Sequence, residues 1–511
     1  MVPWYVDKAS DVPIYRQIVS QVKEAVSSGS LGQEQRLPPA RTLARSLSVN
    51  RLTVSRAYAE LARAGLIRSH VGRGTFVASR LPRSTSPTAG GPAAAERERV
   101  AWSSLFARNA GRAAEEGLPP ASFGTSATGV VSFASLFPDP SLFPVSAFRD
   151  ALDSVLEREG HRILGYGPPA GHPALRRLIA RNLTERGMAV SENEIVITSG
   201  SQQGIDLVAR ALLDPGDAVL VEDPTYTGAV QVFHSYGARL CGVPVDGEGA
   251  VVSRLEEAVE RRRPKLIYVM PNFQNPTSET MSLGRRRALI ELARSRGLAI
   301  LEDDFGGDLR FEGPDLPALK ALDTGGNVIY LSTFAKKLLP GLRIGWLAAP
   351  QPMADRLLRL KQITDYSTSL LLQAALHEFC RRGDLDRHVA GVVDRYRERR
   401  DAMLAAMKRW FPEEVSWTRP QGGLVIWVTL PPGVDADSVA ADAEGHGVLV
   451  GRGDLFAVEG ATRANLRLTF AQASPKEIRR GIRQLGEILR QKIRARHSAP
   501  ALRAAESLPL I

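Results

Sequence analysis

Tyr330-Leu331-Ser332-Thr333-Phe334-Ala335-Lys336-Lys337, with Arg343 close behind, is the stretch on which the fold of most of this chain turns. The apolar run 328–331 ends in two hydroxyl residues and then a lysine, and Arg343 follows Lys336 by seven positions. Alone, a lysine at the end of a strand is usually just exposed. Its relatives along the chain change that reading. The run 195–198 leads into Ser199-Gly200-Ser201-Gln202-Gln203-Gly204, a strand-to-helix turn whose free backbone N–H groups suit a phosphate. The run 299–301 leads into Glu302-Asp303-Asp304, carboxylates at a strand end. Further runs at 218–221, 266–270 and 344–348 alternate with helical patterns such as 201–213 and 285–296. This alternation predicts an α/β unit with a mainly parallel sheet over about 130–490. Ligands of such sheets bind at the carboxyl ends of the strands. Phosphate turn, carboxylate and lysine are therefore expected to meet at one edge.

Working outward, the chain has 511 residues, which at roughly 150 residues per domain suggests two to four domains. Hydrophobic residues make up 44% and charged residues 24%, an ordinary globular balance that argues against disorder over most of the length. No apolar run approaches the roughly 18 residues needed to span a bilayer. The start, Met1-Val2-Pro3-Trp4-Tyr5-Val6-Asp7, lacks the basic and apolar regions of a signal peptide. A cytoplasmic protein without membrane contact is expected. Cys241 and Cys380 are the two cysteines, which excludes a disulfide framework and a Cys-rich zinc site; no metal is expected.

The net charge of +11 is unevenly spread. Residues 31–80 hold nine arginines (36, 41, 45, 51, 56, 63, 68, 73, 80) and two glutamates (34, 60). A local basic excess is the footprint of a nucleic-acid partner. The same region, 11–79, reads as a compact unit. Ile14, Ile18, Val22 and Val26 recur every four residues and predict a helix over about 13–28, closed by Gly29. Pro38-Pro39 opens a second helix. Asn50 caps a third, with Val54, Tyr58 and Leu61 facing inward and Gly65 ending it. Residues 66–69 and 74–77 flank Gly72-Arg73-Gly74 and read as a hairpin. Three helices and a hairpin make a winged helix-turn-helix. Recognition helices read bases mainly with their first turns, so Arg51, Leu52, Thr53, Ser55 and Arg56 are the candidate base readers. Arg suits guanine, and Leu52 or the Thr53 methyl suits a thymine methyl. Arg41, near the start of the second helix, and Arg73, at the wing tip, suit phosphates.

At these residues the sequence resembles the GntR-type regulators. The matching stretches are Arg36-Leu37-Pro38-Pro39-Ala40-Arg41, Leu43-Ala44, Val49-Asn50-Arg51-Leu52-Thr53-Val54-Ser55-Arg56-Ala57-Tyr58, Gly65-Leu66-Ile67 and Gly72-Arg73-Gly74-Thr75-Phe76-Val77. The resemblance implies a dimer on paired half-sites of a double-stranded DNA operator. Leu52 departs from it, since a polar residue is usual there. Residues 80–127 read as a linker, partly disordered, rich in Pro, Ser, Thr, Gly and Ala at its start. A helix near 102–113 is the one element suggested there. Residues 128–490 form the large unit, and 491–511 read as a basic tail.

The large unit resembles the fold-type I aminotransferases, and the resemblance implies pyridoxal 5'-phosphate. That cofactor needs a lysine for covalent attachment, a carboxylate on its pyridine nitrogen and an anion site. Matched motif by motif, Lys336 is the attachment lysine and Asp303 the pyridine partner. Asn275, in Pro271-Asn272-Phe273-Gln274-Asn275-Pro276, meets the ring hydroxyl, and Tyr226, in Asp223-Pro224-Thr225-Tyr226, stacks on the ring. Ser201, Gln202, Thr333 and Arg343 hold the phosphate. Tyr166, in Tyr166-Gly167-Pro168-Pro169-Ala170-Gly171, reaches the phosphate of the neighbouring subunit. Arg467, in Leu466-Arg467-Leu468-Thr469-Phe470, grips a substrate carboxylate. Lys337 competes with Lys336, and Asp304 with Asp303; spacing to Thr333 and Arg343 favours Lys336. The sequence departs from the pattern at two places: Phe305 where a tyrosine is frequent, and Ser135-Leu136 where Gly-Gly is usual. Winged helix, linker and aminotransferase-like unit in this order resemble the MocR-type subgroup of GntR regulators. The resemblance implies a homodimer that answers to an amino acid or related amino compound. A catalytically complete aminotransferase with an attached DNA-binding unit is the alternative.

Overall fold

The computed structural model describes residues 4–6, 13–27, 31, 35–47, 49–63, 66–70, 74–78, 105–107, 129–459 and 464–505. The side chains of 24, 26, 27, 41, 52, 63, 69, 70, 74 and 497–505 lie outside that description. Contacts divide the chain into two compact units, residues 1–100 and 101–511. Most of the expected linker, 80–127, including nearly all of the helix expected near 102–113, falls outside the described residues.

In the first unit α1 (Ile14–Ser27), α2 (Ala40–Ser46) and α3 (Arg51–Arg63) precede an antiparallel pair, β1 (Ile67–His70) and β2 (Gly74–Val77). The apolar spacing expected of α1 and α3 is what packs them: Ile18, Val22, Leu43, Val54, Leu61, Ile67 and Val77 share one core. The segment before α2 also joins the wing. Leu37 N–H donates to Thr75 O at 2.8 Å and Val77 N–H to Gln35 O at 3.0 Å. Tyr58 Oη donates to the Pro38 carbonyl at 2.7 Å, which fixes the entry to α2 against α3.

The second unit has two sheets. In the larger, β4 (Ile195–Thr198), β5 (Ala218–Asp223), β6 (Arg239–Asp246), β7 (Gly249–Ala250), β8 (Leu266–Val269), β9 (Ala299–Asp303), β10 (Val328–Thr333) and β11 (Gly345–Ala348) lie in the order β4-β11-β10-β9-β8-β5-β6-β7. Pairing is parallel from β10 through β9, β8 and β5 to β6, with β11 antiparallel between β10 and β4. The reversal at β11 brings Gly345 beside Thr333, so the 334–344 loop returns to the edge at which the parallel strands end.

The smaller sheet was not foreseen. β3 (Val131–Phe133), β12 (Ser416–Trp417), β13 (Val425–Thr429), β14 (Val448–Arg452) and β15 (Asn465–Thr469) form it in the order β12-β13-β15-β14-β3, largely antiparallel. Its first strand is contributed from some 280 positions before the next, a separation no local periodicity reveals. It packs with the helices Asp384–Trp410 and Pro475–Ala505 around its own core. That last helix also corrects the basic tail expected from 491. It continues to Ala505, and Ile493 is buried beside Ile488 and Leu489 in the same core.

Candidate functional site

Four strand ends of the large sheet converge on one edge. β9 ends at Asp303, β10 runs past Thr333 to Lys336, β8 leads to Asn275, and β5 leads to Tyr226. Beyond β4, Gly200 takes φ +91° and precedes the helix Ser201–Leu212. A Cβ on Gly200 would lie 2.6 Å from Arg343 Nη2, so glycine lets the guanidinium close over the turn. Arg343 itself has φ 52° and donates through Nη2 to the Ser199 carbonyl at 3.1 Å. Helix N-terminus and guanidinium together make a cradle for a dianion.

The two pairs of competitors separate by their partners. Lys337 Nζ forms an ion pair with Asp308, which Arg186 also engages at 3.0 Å, and lies 4.9 Å from the Phe334 ring centre. Lys336 Nζ instead donates to the Leu136 carbonyl at 2.8 Å. Burial, reinforced by the charges of Arg467 and Arg343, pulls the Lys336 amine down to about 8. Asp304 accepts from Asn272 at 3.0 Å and from Tyr330 at 2.6 Å, and so belongs to the scaffold. Asp303 accepts from Tyr268 at 2.8 Å through Oδ2 and lies near the Phe305 N–H, while among the described residues its buried Oδ1 has no partner in hydrogen-bonding geometry. Burial lifts this carboxyl to about 7, against the pull of the Tyr268 hydroxyl. A buried carboxylate oxygen without a donor is costly unless a ligand supplies one.

Arg467 comes from β15 of the small sheet, paired with Trp427 and Gly451 on either side. It reaches across to Asn275 Oδ1 at 3.1 Å and to the Ala134 carbonyl at 2.6 Å, and packs 4.6 Å over the Phe456 ring. Among the described residues its buried Nε has no partner. Burial draws it down to about 10, so it stays charged near neutral pH.

The remaining expected residues divide. Tyr226 Oη donates to Gln202 Oε1 at 3.1 Å, and Gln202 Nε2 to the Gly228 carbonyl at 2.8 Å. With its side chain so engaged, what Gln202 offers an anion is its backbone N–H, as Ser201 does. Thr333 donates through Oγ1 to the Ile344 carbonyl at 3.2 Å and accepts from Ala335 N–H at 3.1 Å, shaping the lysine loop. Tyr166 is 89% exposed and stands edge-on to Tyr366 at 5.4 Å, apart from these groups. Phe305 packs into the core beneath the sheet. Leu136, one of the two residues that replace the usual Gly-Gly, packs against the small-sheet core, and its carbonyl accepts from Lys336. Sequence reasoning missed Tyr268, Ala134 and Phe456, and, although it noted Leu136, it missed the contact of the Leu136 carbonyl with Lys336. Tyr268 had a signal: it pairs with Leu301, two residues before Asp303, which puts both on one sheet face.

In the first unit Arg51 and Arg56 are exposed on α3, and Thr53 and Ser55 half-buried. The Arg56 guanidinium lies 4.1 Å over the Tyr15 ring of α1. Arg41 and Leu52 sit on α2 and α3, with side chains outside the description, and Arg73 lies outside the described residues.

Residues 14–77 match the bacterial regulatory proteins of the gntR family, and residues 137–485 match aminotransferase class I and II. Over 510 residues, 99% of this chain and 97% of the other, the sequence is 30% identical to the "Probable rhizopine catabolism regulatory protein MocR" of Rhizobium meliloti. The chain belongs to the MocR-type subgroup of GntR-family transcriptional regulators. The second unit of this MocR-type chain is also similar to free-standing enzymes. It is 38% identical over 371 residues to aromatic-amino-acid aminotransferase 1 of Thermococcus litoralis, covering 71% of this chain and 89% of that one. The crystal structure of the α-aminoadipate aminotransferase LysN of Thermus thermophilus, solved with N-(5'-phosphopyridoxyl)-L-leucine, superposes with a TM-score of 0.71 at 35% identity. That match covers 78% of this chain and all of the enzyme. Among the described residues of the MocR-type chain no helix is long and apolar enough to cross a membrane. Nor do three His, Cys, Asp or Glu side chains gather where they could hold a metal ion. The orphaned Asp303 Oδ1, the Gly200–Arg343 cradle and the buried lysine fit pyridoxal 5'-phosphate.

Proposed function

We propose that this regulator holds pyridoxal 5'-phosphate at Lys336, recognises an amino acid through Arg467, and relays that event to a dimeric pair of winged helices on duplex DNA. The observation that carries the reading is Arg467. A buried guanidinium with an unpartnered Nε, bound only to neutral oxygens among the described residues, is waiting for a carboxylate.

Bound pyridoxal 5'-phosphate supplies an electron sink to an attached amino compound. The chain supplies the rest. Lys336 provides the attachment amine, and its lowered proton affinity leaves more of it neutral near pH 7 than an ordinary lysine. Asp303 Oδ1 would accept from a protonated ring nitrogen and so favour that protonated form. Asn275 would meet the ring hydroxyl and Tyr226 would stack on the ring. The N–H groups of Gly200, Ser201 and Gln202, with Arg343, hold the phosphate. Tyr166, bare on its own chain, completes the site of a second copy. In the dimer, half-site spacing turns a change in the placement of the winged helices into a change in operator affinity.

A second reading, a working aminotransferase with an attached reader, is favoured by one observation. Lys336, Asp303, Asn275 and Arg467 all stand together at the sheet edge. Spectral titration of the full-length chain with amino acids, with and without 2-oxoglutarate, tests both readings. The sensor reading expects a spectral change with amino acids that stops after at most one half-reaction, and loss of that change in Arg467→Ala with the cofactor retained. Multiple rapid turnovers in the parent establish the enzyme instead. An unchanged response in Arg467→Ala places the carboxylate elsewhere.

A further inference from the structure

We propose that Lys361 and Asp365 are positioning residues for the phosphate turn, acting through Ser199 and Gln203. The inference rests on the reading that this turn holds the cofactor phosphate. Gly200 leaves the turn without a side chain to orient it, so its neighbours must do so. Ser199 is held at three atoms. Its N–H donates to Gln203 Oε1 at 2.7 Å, its Oγ donates to Asp365 Oδ2 at 3.1 Å, and its carbonyl accepts from Arg343 at 3.1 Å. Gln203 Nε2 donates to the same Asp365 oxygen at 2.8 Å. The N–H of Ser199 and its carbonyl are thus spent on fixing the turn, and the N–H groups of the following residues remain for an anion.

A carboxylate behind an anion site would repel the anion. Lys361 prevents this. One turn earlier on the helix Gln351–Asp365, its side chain is wholly buried, and Nζ donates to Asp365 Oδ1 at 2.7 Å and to Thr368 Oγ1 at 3.0 Å. The pair can therefore present acceptors to Ser199 and Gln203 without presenting net charge to the phosphate. The network continues outward. The Thr368 carbonyl accepts from Gln373 Nε2 at 2.9 Å, and Gln373 Oε1 accepts from His172 N–H at 2.8 Å. His172 directly follows the Tyr166–Gly171 segment, and Tyr366, next to Asp365, is the residue against which Tyr166 stands. One ion pair, its lysine buried and its aspartate a quarter exposed, thus braces both the turn of this chain and the segment that carries Tyr166.

The test compares equilibrium binding of pyridoxal 5'-phosphate with that of pyridoxal, which lacks the phosphate, in the full-length parent, Ser199→Ala and Lys361→Met. Affinity for pyridoxal 5'-phosphate is expected to fall about tenfold in Ser199→Ala, and further in Lys361→Met, where the Asp365 charge is left uncompensated. Affinity for pyridoxal stays at the parental value in both. A parallel fall for the two ligands, or no fall for either, overturns the positioning role. Ser199→Ala leaves the ion pair intact and decides the matter alone if Lys361→Met does not fold. A parent that binds neither ligand refutes the cofactor reading beneath; a parent that binds both, with variants unchanged, refutes only the role of the pair.

Discussion

The two units of this regulator carry their candidate chemistry in opposite ways. In the winged unit, Arg51, Leu52, Thr53, Ser55 and Arg56 are consecutive or nearly so, and one helix carries them. In the aminotransferase-like unit, Asp303, Lys336, Asn275, Tyr226 and the Gly200 turn come from separate strand ends, and Arg467 from a second sheet. A surface that reads a linear polymer can be written on one helix. A pocket that must surround a small molecule has to be collected from distant parts of the chain. Damage to one element should therefore be graded in the first unit and closer to all-or-none in the second.

The largest effect expected is at Lys336. Lys336→Ala should abolish covalent attachment of the cofactor, seen as loss of the visible absorbance and of the adduct trapped by borohydride. Lys337→Ala should keep both, because Lys337 is committed to Asp308. The reverse outcome would break the contrast at its strongest point.

Next comes Asp303. Its carboxyl stands at about 7 in the folded chain, against roughly 4 when unfolded. The cofactor-free folded state thus keeps a proton that the unfolded chain releases, so stability falls as pH rises through that window and stays low above it. Asp303→Asn should remove this loss. Relative to the parent, the cofactor-free variant should gain stability between about pH 4 and 7, by up to about 4 kcal/mol in denaturant unfolding. Glu302, raised by burial and the Asp304 charge, cancels in the difference, whereas Glu222, raised mainly by burial but also by the Asp303 charge, adds a smaller change of its own. A flat difference across pH would mean that the burial penalty is not paid at this residue.

The smallest effects are expected on α2 and α3. Arg56→Ala should cost about 1–3 kcal/mol at one base position of the operator. Arg41→Ala should weaken all sequences alike and flatten the salt dependence by about one ion. Equal losses on specific and random duplexes for both variants would erase the division between reading and anchoring.

How far each unit was legible follows from the same contrast. Helical spacing alone placed α1 and α3, since Ile18, Val22, Val54 and Leu61 do in the core what their periodicity requires. The strands around Asp303 and Lys336 were equally plain as apolar runs ending in polar residues. The small sheet was hidden because β3 and β12 are short and far apart in sequence. Partners supplied by carbonyls, such as those of Leu136 and Ala134, leave no trace in residue identity. The stacking of Arg56 on Tyr15 was also out of reach, since it depends on how α1 crosses α3 and not on either pattern.

Arg467 sits on the middle strand of the small sheet, hydrogen-bonded neighbours on both sides, while its tip is tied to Asn275 beyond the large sheet's edge. A carboxylate that recruits this guanidinium does not tug on a loop that can yield. It loads a braced beam at its centre, and the beam is built into the helix Pro475–Ala505 through a shared core. On the proposed reading, a pull on Arg467 would be borne by the sheet and by the helix whose Ile478, Ile482, Leu485 and Leu489 share its core, not by a loop.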